Sequence, residues 1–317
     1  MNAMLNPVKP VLPPPLRPGD SVGVFYPAGP VRDQACFDAG MAILRDMGLL
    51  VRHAPPAGSG PDYLAADDAT RLQELHGLWA DDSIRALVAA RGGFGCLRIA
   101  GALDFDFISS HPKWLIGFSD LTVLLNAVSS RTGLITMHGP VVTTLSTLQG
   151  RAMEIFQEML AGRFRPFSQI PGLEILRGGI AGGPLIGGNL ATLVHCIGTP
   201  WLPDFNGAVL FLEDTGEPEY KIDRMLTQLS CCGLLDGLSG LVLGNFDPGH
   251  DDRLEIIRRN EQVWNRVLEL TQAHTYPVWG GFPAGHQGEQ YPLPIGMDAV
   301  MNSLNGSLEF MPPSRST

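Results

Sequence analysis

The sequence predicts an α/β protein whose first half is built on a parallel sheet. Three observations carry that reading. Short, mainly apolar runs recur at residues 21–26 and 84–90 and again before Gly117-Phe118-Ser119-Asp120, as expected of strands buried on both faces. Segments with apolar residues at helical spacing lie between them. The runs end in glycine, proline or polar residues, where a chain leaves a sheet.

Taken in order, residues 1–19 read as an extended, proline-rich leader with Pro7, Pro10, Pro13, Pro14 and Pro15. Residues 21–26 are the first strand, closed by Pro27-Ala28-Gly29-Pro30. Residues 33–47 are a helix with Phe37, Met41, Leu44 and Met47 inward, 49–53 a short strand, 55–61 a loop and 67–80 the next helix. The strand 84–90 runs directly into Arg91-Gly92-Gly93-Phe94-Gly95. After the run ending at Ser119, Leu121, Leu124, Leu125 and Val128 mark a helix that Asp120 suits as a cap. A strand at 134–137 ends in His138-Gly139-Pro140, and a helix follows near 150–161.

Residues 164–172 carry Pro166, Pro171 and Gly172 with little periodicity. The expected organisation is a first domain over 1–162, a linker over 163–177 and a second domain over 178–317. The second half of the chain begins near a strand at 173–176 and a glycine-dense stretch at 178–188, followed by a helix at 189–197. Residues 208–212 are a buried strand ending in Glu213-Asp214, and 219–232 an amphipathic helix with Ile222, Met225, Leu226 and Leu229 on one face. A strand at 238–243, a long helix at 254–271 and the run 278–283 lead to Ala284-Gly285-His286. Asn305-Gly306 between short apolar runs reads as a β-hairpin.

Composition narrows the function classes. The 317 residues are 44% hydrophobic and 17% charged, enough apolar material for a sizeable core. A net charge of -10, with lysine only at Lys9, Lys113 and Lys221, argues against nucleic acid or an anionic membrane as partner. The five cysteines are odd in number and lack metal-ligand spacing, which favours free thiols in a reducing compartment. The expectation is a soluble cytoplasmic protein needing no metal and no cofactor.

Ligands of open α/β sheets bind beyond the carboxyl ends of the strands. Five such loops here carry unusual residues: Arg91-Gly92-Gly93, Ser119-Asp120, His138, Glu213-Asp214 and His286. A serine on a sharp strand-to-helix turn is exposed for nucleophilic attack, with the next amide placed to bind an oxyanion, although a serine there also serves simply as a cap. The glycine loop is either an oxyanion loop or a plain tight turn, and it lacks the lysine of a phosphate-binding loop. Glu213 is an orienting acid or a solvated strand end. His286 is the first candidate for a general base and His138 the second. Arg91 is a weak candidate for a substrate carboxylate.

The pieces Arg-Gly-Gly-Phe-Gly (91–95), Gly-Phe-Ser-Asp-Leu-Thr (117–122), Thr-Gly-Leu-Ile-Thr-Met-His-Gly-Pro (132–140), Gly-Gly-Asn-Leu (187–190), Leu-Glu-Asp (212–214) and Gly-His (285–286) stand together in order. With them the chain resembles the LD-carboxypeptidase family of serine peptidases, which includes the microcin C immunity peptidases. That resemblance implies an N-terminal flavodoxin-like domain, a smaller C-terminal β-rich α/β domain, and a homodimer. It matches Ser119 to the nucleophile, Glu213 to the acid, His286 to the base, and Gly92 or Gly93 with Asp120 to the oxyanion amides. The implied activity is release of a terminal D-alanine from murein tetrapeptides during cell-wall recycling. Phe94 and Phe118 stand where tyrosine is often expected, which bears on substrate more than on chemistry.

Overall fold

The computed structural model describes residues 8–53, 60–249, 252–286 and 290–314. Within them the chain divides into two compact units. One runs to Arg163 and takes in Leu293–Gly296; the other holds Phe164–Pro292 and Met297–Pro312.

The first unit is organised on β1 (Ser21–Phe25), every residue of which is buried. It is followed by α1 (Gln34–Asp46), β2 (Leu50–His53), α2 (Asp68–Ala80), β3 (Ile84–Ala89), α3 (Cys96–Ala100), α4 (Phe105–Ser110), β4 (Trp114–Gly117), α5 (Thr122–Thr132), β5 (Thr136–His138), α6 (Val142–Leu145) and α7 (Gly150–Leu160). The strands pair in parallel in the order β2-β1-β3-β4-β5. This is the flavodoxin-like winding, as the resemblance implied. Asp33 and Asp67 start α1 and α2 by accepting the amides of Cys36 and Thr70. Helix α5 buries most of its length, from Thr122 through Val128, which explains its weak amphipathic pattern.

Residues 1–7 of the expected leader lie outside the described residues, and the rest, from Val8 on, is docked on the first unit. Val11 bridges to Leu134, the Leu16 amide donates to the Leu160 carbonyl, and Trp114 Nε1 donates to the Pro14 carbonyl. Prolines lack the amide but keep the carbonyl, so a proline-rich strip still serves as an acceptor edge.

The second unit contains β6 (Glu174–Arg177), β7 (Ile180–Asn189), α8 (Leu190–Val194), β8 (Val209–Thr215), α9 (Glu219–Cys231), β9 (Gly240–Asp247), α10 (Arg253–Leu270) and β10 (Val278–Gly280). Further on come β11 (Leu293–Ile295), β12 (Asp298–Asn302) and β13 (Ser307–Met311). A seven-stranded sheet is ordered β13-β12-β7-β8-β9-β10-β6, parallel from β7 to β10 and antiparallel at both edges. Its helix-covered core is aliphatic, with Leu193, Leu210, Leu212, Ile222, Leu226, Leu241, Leu243 and Val263 in one cluster. The Asn305-Gly306 hairpin is formed by β12 and β13.

Three local features differ from the sequence reading. The glycine-dense stretch is the ten-residue strand β7. Glycine suits it because of crowding: a Cβ on Gly183 would stand 1.9 Å from the Gly207 carbonyl oxygen. Residues 164–177, expected as linker, pack in the second unit, where Phe167 bridges to Leu308 and β6 pairs with β10. Strand β11 adds antiparallel to β5 and so completes the six-stranded sheet of the first unit. Pro294 within it is tolerated because an edge strand can spare an amide.

Among the described residues no helix is long and apolar enough to cross a membrane.

Candidate active site

In the first unit the site is built where β4 gives out. Phe118 is still extended, and Ser119 then turns to φ +63° and opens a 3-10 turn, Ser119–Leu121, that feeds α5. A non-glycine residue in the left-handed region costs about 1–2 kcal/mol. Strain of this kind is characteristic of a nucleophile held on a strand-to-helix elbow. Ser119 is partly exposed, whereas Phe118 and Asp120 beside it are buried.

The glycine loop lies directly against this serine. A Cβ on Gly92 would fall 3.0 Å from Ser119 Cβ and 3.2 Å from its Oγ. The Gly92 carbonyl accepts the Gly29 amide at 3.1 Å. In a trans peptide the Gly93 N–H therefore points away from Gly29.

Asp120 departs from its expected role as the cap of α5. That helix begins at Thr122 without a side-chain cap, and Asp120 Oδ2 instead accepts the Cys96 amide at 2.7 Å. The carboxylate thus ties the end of the glycine loop to the serine turn. Arg91 reaches to the turn after β1, with Nη1 donating to the Pro30 carbonyl at 3.4 Å. His138 is fully buried on β5, its ring edge-on to Phe118 with centroids 6.0 Å apart. Phe94 is about half exposed and meets Tyr63 edge-on.

In the second unit the acid and the histidine form a direct pair. Glu213 is on β8, completely buried, where the register with β9 slips between Leu212 and Asp214. A bulge re-aims side chains and is frequent beside active sites. Glu213 Oε2 lies 2.7 Å from His286 Nδ1. With Nδ1–H donated to the carboxylate, Nε2 is left to accept a proton.

Gly285 makes this pairing possible. Its φ is +137°, and a Cβ there would come within 3.2 Å of Glu213 Oε2. Burial alone would lower the His286 pKa, but the charge and hydrogen bond of Glu213, with Asp214 and Asp247, outweigh it and hold the imidazole above its ordinary value.

Asp214 is the contrasting carboxyl. Burial first, and the Glu213 charge second, push it up to about 7. It accepts from the amides of Ala191 and Thr215 and from Asn189 Nδ2. Asn189 also caps α8 by accepting the Thr192 amide at 3.0 Å. The Gly-Gly-Asn-Leu motif therefore brings β7 and α8 under the carboxylates.

Two models of known domains match the chain: the LD-carboxypeptidase N-terminal domain over residues 22–139 and the LD-carboxypeptidase C-terminal domain over residues 182–301. The chain belongs to the LD-carboxypeptidase family. This is a family of serine peptidases, and its relatives agree. A probable murein peptide carboxypeptidase of Bacillus subtilis is 36% identical over 296 residues, covering 91% of this chain and 90% of the relative. A murein tetrapeptide carboxypeptidase of Pseudomonas aeruginosa is 34% identical over 249 residues, covering 75% and 79%. The solved structure of MccF in complex with glutamyl sulfamoyl guanosine superposes with a TM-score of 0.86 at 24% identity, covering 97% of this chain and 100% of that one, and so shares the fold.

In this LD-carboxypeptidase family member the structure brings Ser119, Gly92 and Asp120 together in the first unit, and Glu213 with His286 in the second. It leaves His138 in the core and Arg91 on the turn that follows β1. Sequence reasoning passed over Asp214 as a titrating neighbour and Asn189 as its donor. The family motifs contain both residues, and their place at the carboxyl ends of adjacent parallel strands was the available signal.

Proposed function

We propose that this chain is a serine carboxypeptidase that hydrolyses the L,D-peptide bond to a terminal D-alanine in murein tetrapeptides through Ser119, Glu213 and His286. The observation that carries the reading is the 2.7 Å pair between Glu213 Oε2 and His286 Nδ1, with the histidine pKa raised by that contact despite burial. His286 Nε2 takes the proton of Ser119 Oγ as the oxygen attacks the scissile carbonyl. The amides of Asp120 and of the Gly92–Gly93 turn hold the oxyanion. His286 returns the proton to the leaving amine, and a water activated by the same base releases the acyl group. Arg91 is the proposed contact for the terminal carboxylate. The reading has the protein act in the cytoplasm as a homodimer, which light scattering checks for the oligomer.

The test is incubation with murein tetrapeptide and measurement of free D-alanine, for the wild type and Ser119→Ala. Release by the wild type alone supports the proposal. Equal release by Ser119→Ala removes the serine from it. An aminoacyl sulfamoyl nucleotide that is cleaved in preference to the tetrapeptide moves the substrate to the peptidyl-nucleotide class and keeps the triad.

A further inference from the structure

Arg71 on α2 is fully buried. A buried guanidinium is costly unless its donors are taken up. Its Nη2 meets Asp68 Oδ1 at 2.5 Å, while Nη1 donates to the Pro27 carbonyl and, at 3.1 Å, to the Gly95 carbonyl. The Gly95 carbonyl belongs to the same peptide plane as the Cys96 amide, which donates to Asp120 Oδ2 at 2.7 Å. In a trans peptide these two groups point in opposite directions. A cation therefore grips one end of the Gly95–Cys96 peptide and an anion the other, and each polarises the bond the other makes.

Both ends of this chain of contacts return to the serine. Asp120 follows Ser119 and supplies the amide proposed for the oxyanion. Gly92 stands at the start of the same loop, where a Cβ would press on Ser119 at 3.0 Å and force a shift of a few tenths of an ångström. Gly95 closes the loop at φ +130°, and a Cβ there would come 2.7 Å from Arg71 Nη1. A fork with several fixed donors suits this task, and an ammonium group does not reproduce it.

We propose that Arg71 is a positioning residue: by clamping the Gly95–Cys96 peptide against Asp120 it sets the glycine loop and the serine turn in the geometry that binds the oxyanion. The inference rests on Ser119 as the nucleophile. Arg71 touches no substrate atom in this role, so its loss lowers the rate of the chemical step and leaves binding and the base alone.

The experiment compares Arg71→Lys and Arg71→Met with Arg98→Gln. Arg98 also pairs with Asp68, at 2.9 Å; its backbone amide donates to the Gly95 carbonyl at 3.1 Å, which a side-chain substitution keeps, and its guanidinium has no hydrogen bond to the Pro27 or Gly95 carbonyl. For D-alanine release, Arg71→Lys lowers kcat by about 10-fold and Arg71→Met by about 100-fold, as a misplacement of roughly 1 Å does. KM stays within about twofold, the acid limb of the pH profile stays in place, and Arg98→Gln matches the wild type. Amide exchange at Cys96 quickens in the Arg71 variants only. Wild-type kcat in either Arg71 variant overturns the proposal, and so does an equal loss in Arg98→Gln, which would assign the effect to the ion pair. Should Arg71→Met fail to fold, Arg71→Lys and its Cys96 exchange decide. Should the wild type release no D-alanine, the substrate reading fails separately. The clamp is then judged by labelling of Ser119 with a fluorophosphonate, slowed in the Arg71 variants if it holds and unchanged if it does not.

Discussion

Gly92 leaves Ser119 the space it occupies: a Cβ on the glycine would stand 3.0 Å from Ser119 Cβ and 3.2 Å from Oγ. Separations this short force a shift of a few tenths of an ångström. Gly92→Ala is therefore expected to lower kcat by about 10- to 100-fold while the protein stays folded, because displacing an oxyanion amide or nucleophile is costly at small distances. Steady-state kinetics with a thermal melt checks this. Full activity in the variant would show that the loop is only a turn.

Ser119 is held at φ +63° at a cost of about 1–2 kcal/mol, which a glycine at that position does not incur. Ser119→Gly is expected to be inactive and yet more stable than Ser119→Ala by about 1 kcal/mol. Paired urea titrations of the two variants measure the difference. A Ser119→Gly protein no more stable than Ser119→Ala would mean that the turn holds no strain.

The raised His286 pKa fixes a sign for the pH profile. A base must be neutral to act, so the acid limb of kcat/KM lies above the ordinary histidine value near 6.5. Glu213→Gln removes the charge and leaves the burial, which lowers the pKa. The limb then moves to lower pH, and kcat falls by about 10⁴ if the orienting role matches that of a triad carboxylate. An unmoved limb would assign the base to another group.

Glu74 is predicted to destabilise the fold as pH rises. Burial pushes its carboxyl up to about 7, although its Oε2 accepts the Tyr26 amide at 3.0 Å. The folded state thus binds more protons than the unfolded one between about 4.5 and about 7, so this group's contribution falls as pH climbs through that window. Glu74→Gln keeps an acceptor for Tyr26 and drops the titration. Its stability relative to wild type is expected to grow between pH 4.5 and pH 7 and to level off above, as read from urea midpoints. A constant difference across that range would contradict the assignment.

Much of the fold was legible because its strands are buried on both faces. Residues 21–26 and 84–90 announce themselves as apolar runs, and the loops after them inherit the chemistry of strand ends. Ser119, Glu213 and His286 could be singled out on that rule. Other features obey distant partners. Asp120 satisfies the local rule for a helix cap, yet its acceptor oxygen is used by Cys96, 24 positions away. Arg71 reads as an ordinary helix residue, and only its burial reveals the carbonyls it holds. Short helices such as α3 and α4 have too few turns to show a period, and β7 hides behind glycines whose purpose is to admit a neighbouring backbone.

Strand β11 carries a consequence for how the protein is made. Strand β5 remains an open edge until Leu293–Ile295 is translated and pairs with it. At about 5–20 residues per second, the ribosome needs on the order of ten seconds to move from Arg163 to that segment. During this interval the sheet bearing Ser119 has an unfilled slot, and an exposed edge is where nascent chains go astray. A segment made after most of the second unit thus acts as a latch on the earlier-made unit, and until Leu293–Ile295 pairs with β5 the serine sits on an unfinished sheet.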